Sequence, residues 1–460
     1  MQKPSIYQKL ARNYHDLLLE NLTSFVAIDS TYDQSSVDEN NPFGKGVSQA
    51  LNFVADLAKK DGFIVNNYDN KVVEILLGEG KKNITIMAHV DVVPAGTGWH
   101  QDPFTVTDHR GVLCARGVAD DKGPLLASYY AMKLLRDNHL LGEYQVRFLA
   151  GGNEERGSQC MEHYFKELKK PQPTLGFSPD SDFPLIYGEK GIINFEVKKS
   201  MDINGVFSIH GGVANNSVIE RCVVRMRDNQ FFLRKLQSEG IEFLVNFLQE
   251  GMEVTFIGKA AHGSIPEEGL NAGIIAIKAL SDFLEDENLR SIVEHFSDLE
   301  GKGLEVSSSS ESMGHNSLNV GLLDYENNQF SMVVNFRHVD GVEPNQLIET
   351  FKENAKPFSV EVMSISPLLF YPLDSVLAST LLAAYQEETG DLESKPLTTG
   401  GGTYAKEADN VIAFGTQFPG WDSMMHSPGE SMKKTDLFKS IAIYARAIVE
   451  LGKKLDENKI

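Results

Sequence analysis

Residues 84–94 read ITIMAHVDVVP. Ile84, Thr85, Ile86 and Met87 form a short β-branched and apolar run, the composition of a strand buried on both faces of a parallel sheet. At its end stand His89 and Asp91. Side chains two apart on an extended segment point the same way, so imidazole and carboxylate face one spot at the strand's carboxyl edge. Open α/β sheets place their ligands at that edge. A carboxylate beside a histidine can fix its tautomer and make it a better metal ligand.

Outward from this strand, the pattern is an alternation. Apolar residues at helical spacing run from Tyr7 to Phe25 and from Val47 to Ala58, and Asp61-Gly62 ends the second helix. Val72–Leu77 reads as a strand, Phe104–Val106 with Val112–Ala115 as a hairpin, and Leu125–Leu135 as a helix. Gln145–Ala150 and Leu175–Ser178 are further strands, so the first 187 residues predict a layered α/β domain with a largely parallel sheet. After Tyr187 the texture changes. Ile193–Val197, Glu253–Ile257, Gln329–Arg337 and Ser359–Ile365 read as strands, with helices at Asn271–Leu284 and Gln346–Asn354, which predicts an α+β insert over 188–374. Val306–Gly314, with four serines in a row, reads as a solvated loop. Helical spacing returns near Leu377 and again over Thr435–Leu455, so 375–460 is expected to complete the first domain.

Composition narrows the partners. With 43 basic against 64 acidic residues the net charge is -21, which argues against nucleic acid and anionic lipid as partners. No run approaches the roughly 20 apolar residues of a membrane span. The opening twenty residues carry no apolar signal core, and the three cysteines, Cys114, Cys160 and Cys222, are scattered without CxxC spacing. A cytoplasmic protein with free thiols is expected.

Acidic or histidine residues follow the predicted strand ends repeatedly: His89 with Asp91, Asp120, Glu154-Glu155 and Asp180, with His426 far later. Each has a plain alternative. Asp121 can cap the following helix, Glu154-Glu155 can favour a helix N-terminus, and Asp180 after proline suits a turn. Jointly they gather two histidines and several carboxylates with no lysine or arginine cluster to neutralise them. Such a set calls for a cation, and His with Asp/Glu ligands suits zinc or a close relative.

These motifs resemble the dinuclear-metal exopeptidases related to carboxypeptidase G and aminoacylase. The phrases GVADDKGP, GGNEERGSQ, SPDSDFP and TTGGGTYAK are most similar to the PepV-like bacterial dipeptidases, and the resemblance spans essentially the whole chain. It implies a catalytic α/β domain carrying an inserted lid, and two divalent metal ions per chain, zinc first, with manganese or cobalt as alternatives. His89 and Asp180 would bind one ion, Glu155 and His426 the other, and Asp120 would bridge them, with a hydroxide held between the ions as the attacking group. Glu154 would be the general base and Asp91 would orient His89. A cis peptide is implied between Asp120 and Asp121. In the insert, His262 of GKAAHGS would help polarise the scissile carbonyl, and Asn216 and Arg337 would hold the substrate's terminal carboxylate or the tetrahedral intermediate. Asn215 leaves the exact asparagine open by one position. Gly400-Gly401-Gly402-Thr403 lacks the Gly-Lys-Ser/Thr of a phosphate loop, and the resemblance makes Gly401, Gly402 and Thr403 a backbone cradle for the substrate. The activity implied is hydrolysis of an unblocked dipeptide, by a monomer whose enlarged lid replaces a partner subunit. The alternatives are an N-acyl amino acid deacylase or carboxypeptidase with the same metal chemistry and, more remotely, a non-catalytic metal- or peptide-binding protein.

Overall fold

The computed structural model describes residues 3–457. By internal contacts the chain divides into two units. One takes in the chain up to Gly188, Phe370–Leu397 and the chain from Gly402, and the other takes in Glu189–Leu369 with Thr398–Gly401.

The first unit is built on a mainly parallel sheet. Strand Asn83–His89 is buried along its whole length, as its apolar run requires. It pairs in parallel with Gln145–Gly151 on one side (Asn83 opposite Gln145, His89 opposite Gly151) and with Leu175–Ser178 on the other. Val411–Ala413 extends the parallel centre beyond Leu175–Ser178. Antiparallel pairing takes over at one edge, where Val72–Leu77 meets Gln145–Gly151 and Ile64–Tyr68. Helix Lys122–Asp137 is buried from Lys122 to Met132 and packs with helices His15–Val26 and Lys434–Asp456. The first predicted helix is divided into Ile6–Ala11 and His15–Val26 by a single 3-10 turn. The hairpin falls three residues later than predicted on its first strand, pairing Thr107–His109 with Val112–Cys114. The reason is Asp102: its carboxylate accepts from Phe104 N and its carbonyl from Thr105 N, which bends Phe104 and Thr105 into a turn.

The second unit carries an eight-stranded sheet in the order 243–248, 251–257, 221–226, 206–211, 317–326, 329–338, 191–200, 359–366, antiparallel at every pairing. Helices Gln230–Ser238, Ala272–Leu284 and Glu287–Phe296 each start on an Asn or Asp side chain (Asn229, Asn271, Asp286) that accepts the free amides of the first turn. Phe195 and Phe351 stack at 3.9 Å between ring centroids inside its core. Residues 398–401, expected in the first domain, make their contacts here: Lys190 N donates to Thr399 O and Thr398 Oγ1 to Ser312 O. The serine-rich stretch is partly ordered, with Ser309–Ser310 pairing Gly314–His315 and Met313 buried. Among the described residues no helix is long and apolar enough to cross a membrane.

Candidate metal centre

Three neighbouring parallel strands deliver acidic or imidazole side chains at their carboxyl ends. Asn83–His89 ends in His89, Gln145–Gly151 is followed by Glu154 and Glu155, and Leu175–Ser178 by Asp180. This is the edge at which open α/β sheets bind ligands. Asp120 comes from the loop before helix Lys122–Asp137, and His426 from the loop before strand Ser431–Lys433.

The groups fall into two sets that share one residue. Ligand atoms of His89, Asp120 and Asp180 lie within 4.8 Å of one another, and so do those of Asp120, Glu155 and His426. The carboxylate of Asp120 is divided between them: Oδ1 is 3.0 Å from His89 Nε2 and Oδ2 is 2.8 Å from His426 Nε2. Asp180 Oδ2 is 3.7 Å from His89 Nε2, and Glu155 Oε1 is 3.3 Å from His426 Nε2.

The chemistry of this set fits a cation. His89 Nδ1 lies 2.9 Å from the carbonyl of Asp91, which can only accept, so Nδ1 carries the hydrogen. In the neutral ring the lone pair of Nε2 then faces two carboxylate oxygens. Acceptor meets acceptor, and only a proton or a metal ion between them relieves the repulsion. Among the described residues, buried Glu155 Oε1 makes no well-formed hydrogen bond, and its one neighbouring nitrogen is His426 Nε2 at 3.3 Å. Proton affinities say the same. Burial opposes charge on His89, yet Asp120, Asp180 and Asp91 together hold its pKa well above the ordinary imidazole value. His426, whose side chain is half exposed, meets a weaker opposition from burial, and Asp120 and Glu155 push it up to about 11. Burial and the charge of Asp120 push Glu155 up to about 7. Burial and the charge of Asp180 raise Glu154 and Asp121 well above the carboxylate range, and burial raises Asp180. Asp120 alone is lowered: burial works against it, but the two histidines outweigh burial. Lys122 does not neutralise the cluster, because its Nζ donates to Phe25 O and Ile28 O.

Asp91 faces His89 Nδ1 with two kinds of oxygen. The atom that holds His89 is its carbonyl, while Oδ1 stands 3.4 Å from Nδ1. The carboxylate instead accepts from Glu154 N and Glu155 N, both at 3.1 Å, and so fixes the acidic pair. Asp121 occupies the N-cap position of the following helix without capping it, its Oδ2 accepting from His89 N at 3.0 Å. The peptide between Asp120 and Asp121 is cis. Sequence reading missed Glu430 and Arg116, a buried ion pair at 2.6 Å next to the Asp120 loop. The signal available was an acid four residues after His426, directly before the short strand Ser431–Lys433.

The remaining candidates lie mostly in the second unit. Asn216 and His262 are brought together there, with Ser217 bridged to His262 and Gly263 N donating to Asn216 O at 2.7 Å. Ser264 Oγ is 2.6 Å from His262 Nδ1. Arg337 is buried, with Nε bonded to Asn335 Oδ1 at 2.9 Å and Nη1 to Gly400 O. Burial pulls its pKa down to about 10. Gly401 N donates to Thr399 Oγ1, and Thr403 Oγ1 accepts from Ala405 N at the start of a short helix. Gly402 and Thr403 belong to the first unit.

A parallel sheet that gathers two imidazoles and several carboxylates around a shared aspartate defines a metal-binding α/β protein. The chain belongs to peptidase family M20/M25/M40, whose sequence pattern matches residues 85–450. It is 31% identical over 477 residues to a protein of Staphylococcus haemolyticus named "Putative dipeptidase", covering 97% of this chain and 99% of that protein. Among solved structures, the yeast di-peptidase Dug1p superposes with a TM-score of 0.59 at 14% identity, covering 97% of this chain and 98% of that one. An M20 family metallo-carboxypeptidase from Sulfolobus solfataricus gives 0.59 at 18% identity, covering 95% and 99%. These two share the fold.

Proposed function

We propose that the chain hydrolyses dipeptides with a free amino terminus, using two divalent ions, zinc first among them. The observation that carries this is the pair of three-residue ligand sets meeting at Asp120. The dipeptidase name of the staphylococcal relative supports the substrate class. His89 and Asp180 would hold one ion, Glu155 and His426 the other, and Asp120 both. Bound divalent ions would supply Lewis acidity toward the scissile carbonyl and toward water.

Glu154 is the group assigned to move the proton. It lies beside the ligand Glu155, its backbone is fixed by Asp91, and burial and Asp180 give it an unusually high proton affinity. A carboxylate so placed can take a proton from the attacking water and return it to the leaving amine. Asp91 positions His89 through its carbonyl and the acidic pair through its carboxylate. In the second unit, His262 is assigned to the scissile carbonyl and Asn216 and Arg337 to the substrate's carboxylate, for which a guanidinium fork is suited. Gly401, Gly402 and Thr403 are assigned to a backbone cradle beside the same end of the substrate.

The test is release of free amino acids from unblocked and N-acetylated dipeptides by chelator-stripped protein, with and without added zinc or manganese. Metal-restored cleavage of the unblocked set alone is expected. Cleavage of the acetylated set would move the protein to the deacylases. Bound metal without turnover on either set would leave only a binding role.

We also propose a cytoplasmic monomer. Cys114, Cys160 and Cys222 are all unpaired, and the inserted unit has a large sheet and core of its own. A dimer in sedimentation at micromolar concentration would contradict the monomer.

A further inference from the structure

Glu430 is fully buried and stands one strand end away from the shared ligand. Ser431–Lys433 pairs antiparallel with Val112–Cys114, and Ala115 N donates to Glu430 O at 3.2 Å. From that ladder the Glu430 side chain reaches into the loop that carries Asp120. Its Oε1 accepts from two successive amides, Ala119 N at 2.9 Å and Asp120 N at 3.2 Å. Its Oε2 accepts from Arg116 Nη1 at 2.6 Å. Arg116 is itself buried, its guanidinium 5.4 Å from the Trp99 ring centroid.

A carboxylate placed next to Asp120 in a dry site adds repulsion to a cluster already short of positive charge. It persists only because three donors hold it. Two of those donors, Ala119 N and Asp120 N, belong to the two successive peptide units that lead into Asp120, and holding both restricts the direction in which the Asp120 side chain leaves the backbone. Glu430 also sits four residues after His426 on the same segment. It therefore ties the shared aspartate to the second histidine, whose Nε2 lies 2.8 Å from Asp120 Oδ2. The loop of Glu154 and Glu155 has a counterpart: the Asp91 carboxylate accepts from their two successive amides, one on each oxygen. Two acidic loops of the centre, that of Asp120 and that of Glu154 and Glu155, are each held through their amides by a buried carboxylate from another segment.

We propose that Glu430, with Arg116 as its counter-ion, is a positioning residue that sets the reach of Asp120 between the two ligand sets. Metal affinity then depends on it, and not stability alone. The proposal rests on the metal-binding function assigned above.

Two variants separate the roles. Glu430→Gln keeps the shape and removes the charge, while Glu430→Asp keeps the charge and shortens the reach by one methylene. Zinc affinity is read by competition with a chromophoric chelator, alongside metal-free thermal unfolding and the split between kcat and KM. Both variants are expected to bind zinc roughly 10- to 100-fold more weakly than the parent, the usual cost of losing a residue that orients metal ligands. kcat should fall more than KM rises. A residue that merely neutralised Arg116 would be rescued by Glu430→Asp, so parental zinc affinity in that variant would overturn the proposal. So would zinc affinity within threefold of the parent in folded Glu430→Gln. A parent protein that binds no zinc would instead overturn the metal-binding function, and this proposal with it.

Discussion

In the second unit Arg337 is buried with Nε on Asn335 Oδ1 and Nη1 on Gly400 O, and Asn335 Nδ2 donates in turn to Asn194 Oδ1. In the first unit buried Glu155 Oε1 makes no well-formed hydrogen bond among the described residues, and the His89 Nε2 lone pair faces two carboxylates. Arg337, Asn335 and Asn194 of the second unit bond to one another and to Gly400. The cluster of the first unit is left short of positive charge by the protein alone. A buried cluster of carboxylates and imidazoles left short of positive charge calls for a cation.

The contrast breaks most severely at Asp120. Asp120→Ala removes the one residue common to both ligand sets, so dipeptide turnover and both ion equivalents should be lost, as read by elemental analysis of the dialysed protein. Glu154→Gln should lower kcat by roughly 10²- to 10⁴-fold while metal content stays near the parent's, because a general base acts on the proton and not on the ion. In the second unit Arg337→Lys should cost less. A lost hydrogen bond to a charged group is worth about 1.5–3 kcal/mol, so kcat/KM should fall roughly 10- to 100-fold with metal content unchanged.

The pH dependence of the metal-free protein sharpens the comparison. Glu155 is raised from 4.5 to about 7, and His426 from 6.5 to about 11. The folded, metal-free centre holds protons that the unfolded chain releases. The stability this confers is full below about pH 4.5 and is lost as pH climbs through 7 and onward. The metal-free unfolding temperature should fall from pH 5 to pH 8, and added zinc should raise it more at pH 8 than at pH 5. Scanning calorimetry with and without zinc reads both. The smallest effect belongs to Asn319, whose Nδ2 bonds Asn215 O and Ser217 O in the second unit. Asn319→Ala should cost about 1–3 kcal/mol in urea unfolding and leave zinc affinity untouched.

The same contrast explains what could be read from the sequence. The parallel strands were legible because burial on both faces leaves unbroken apolar runs, and the cluster because acids and histidines follow the strand ends one after another. The second unit was harder. Strand Phe243–Leu248 is an edge strand with Leu244 and Phe247 exposed, so its apolar residues do not alternate and mark no core face. Strands Val206–Gly211, Arg221–Met226 and Ser317–Glu326 carry polar residues between buried ones and went unread for that reason. Glu430 left only its place four residues after His426 as a signal, and Arg116 none, since their partners are backbone amides and each other, more than 300 positions apart along the chain.

The most direct test is a calorimetric titration of chelator-stripped protein with zinc, run in parallel on Asp120→Ala. Two equivalents bound by the parent and none bound tightly by the variant is the predicted result. One equivalent or none in the parent, or two that survive the loss of Asp120, would contradict a centre built around a shared aspartate.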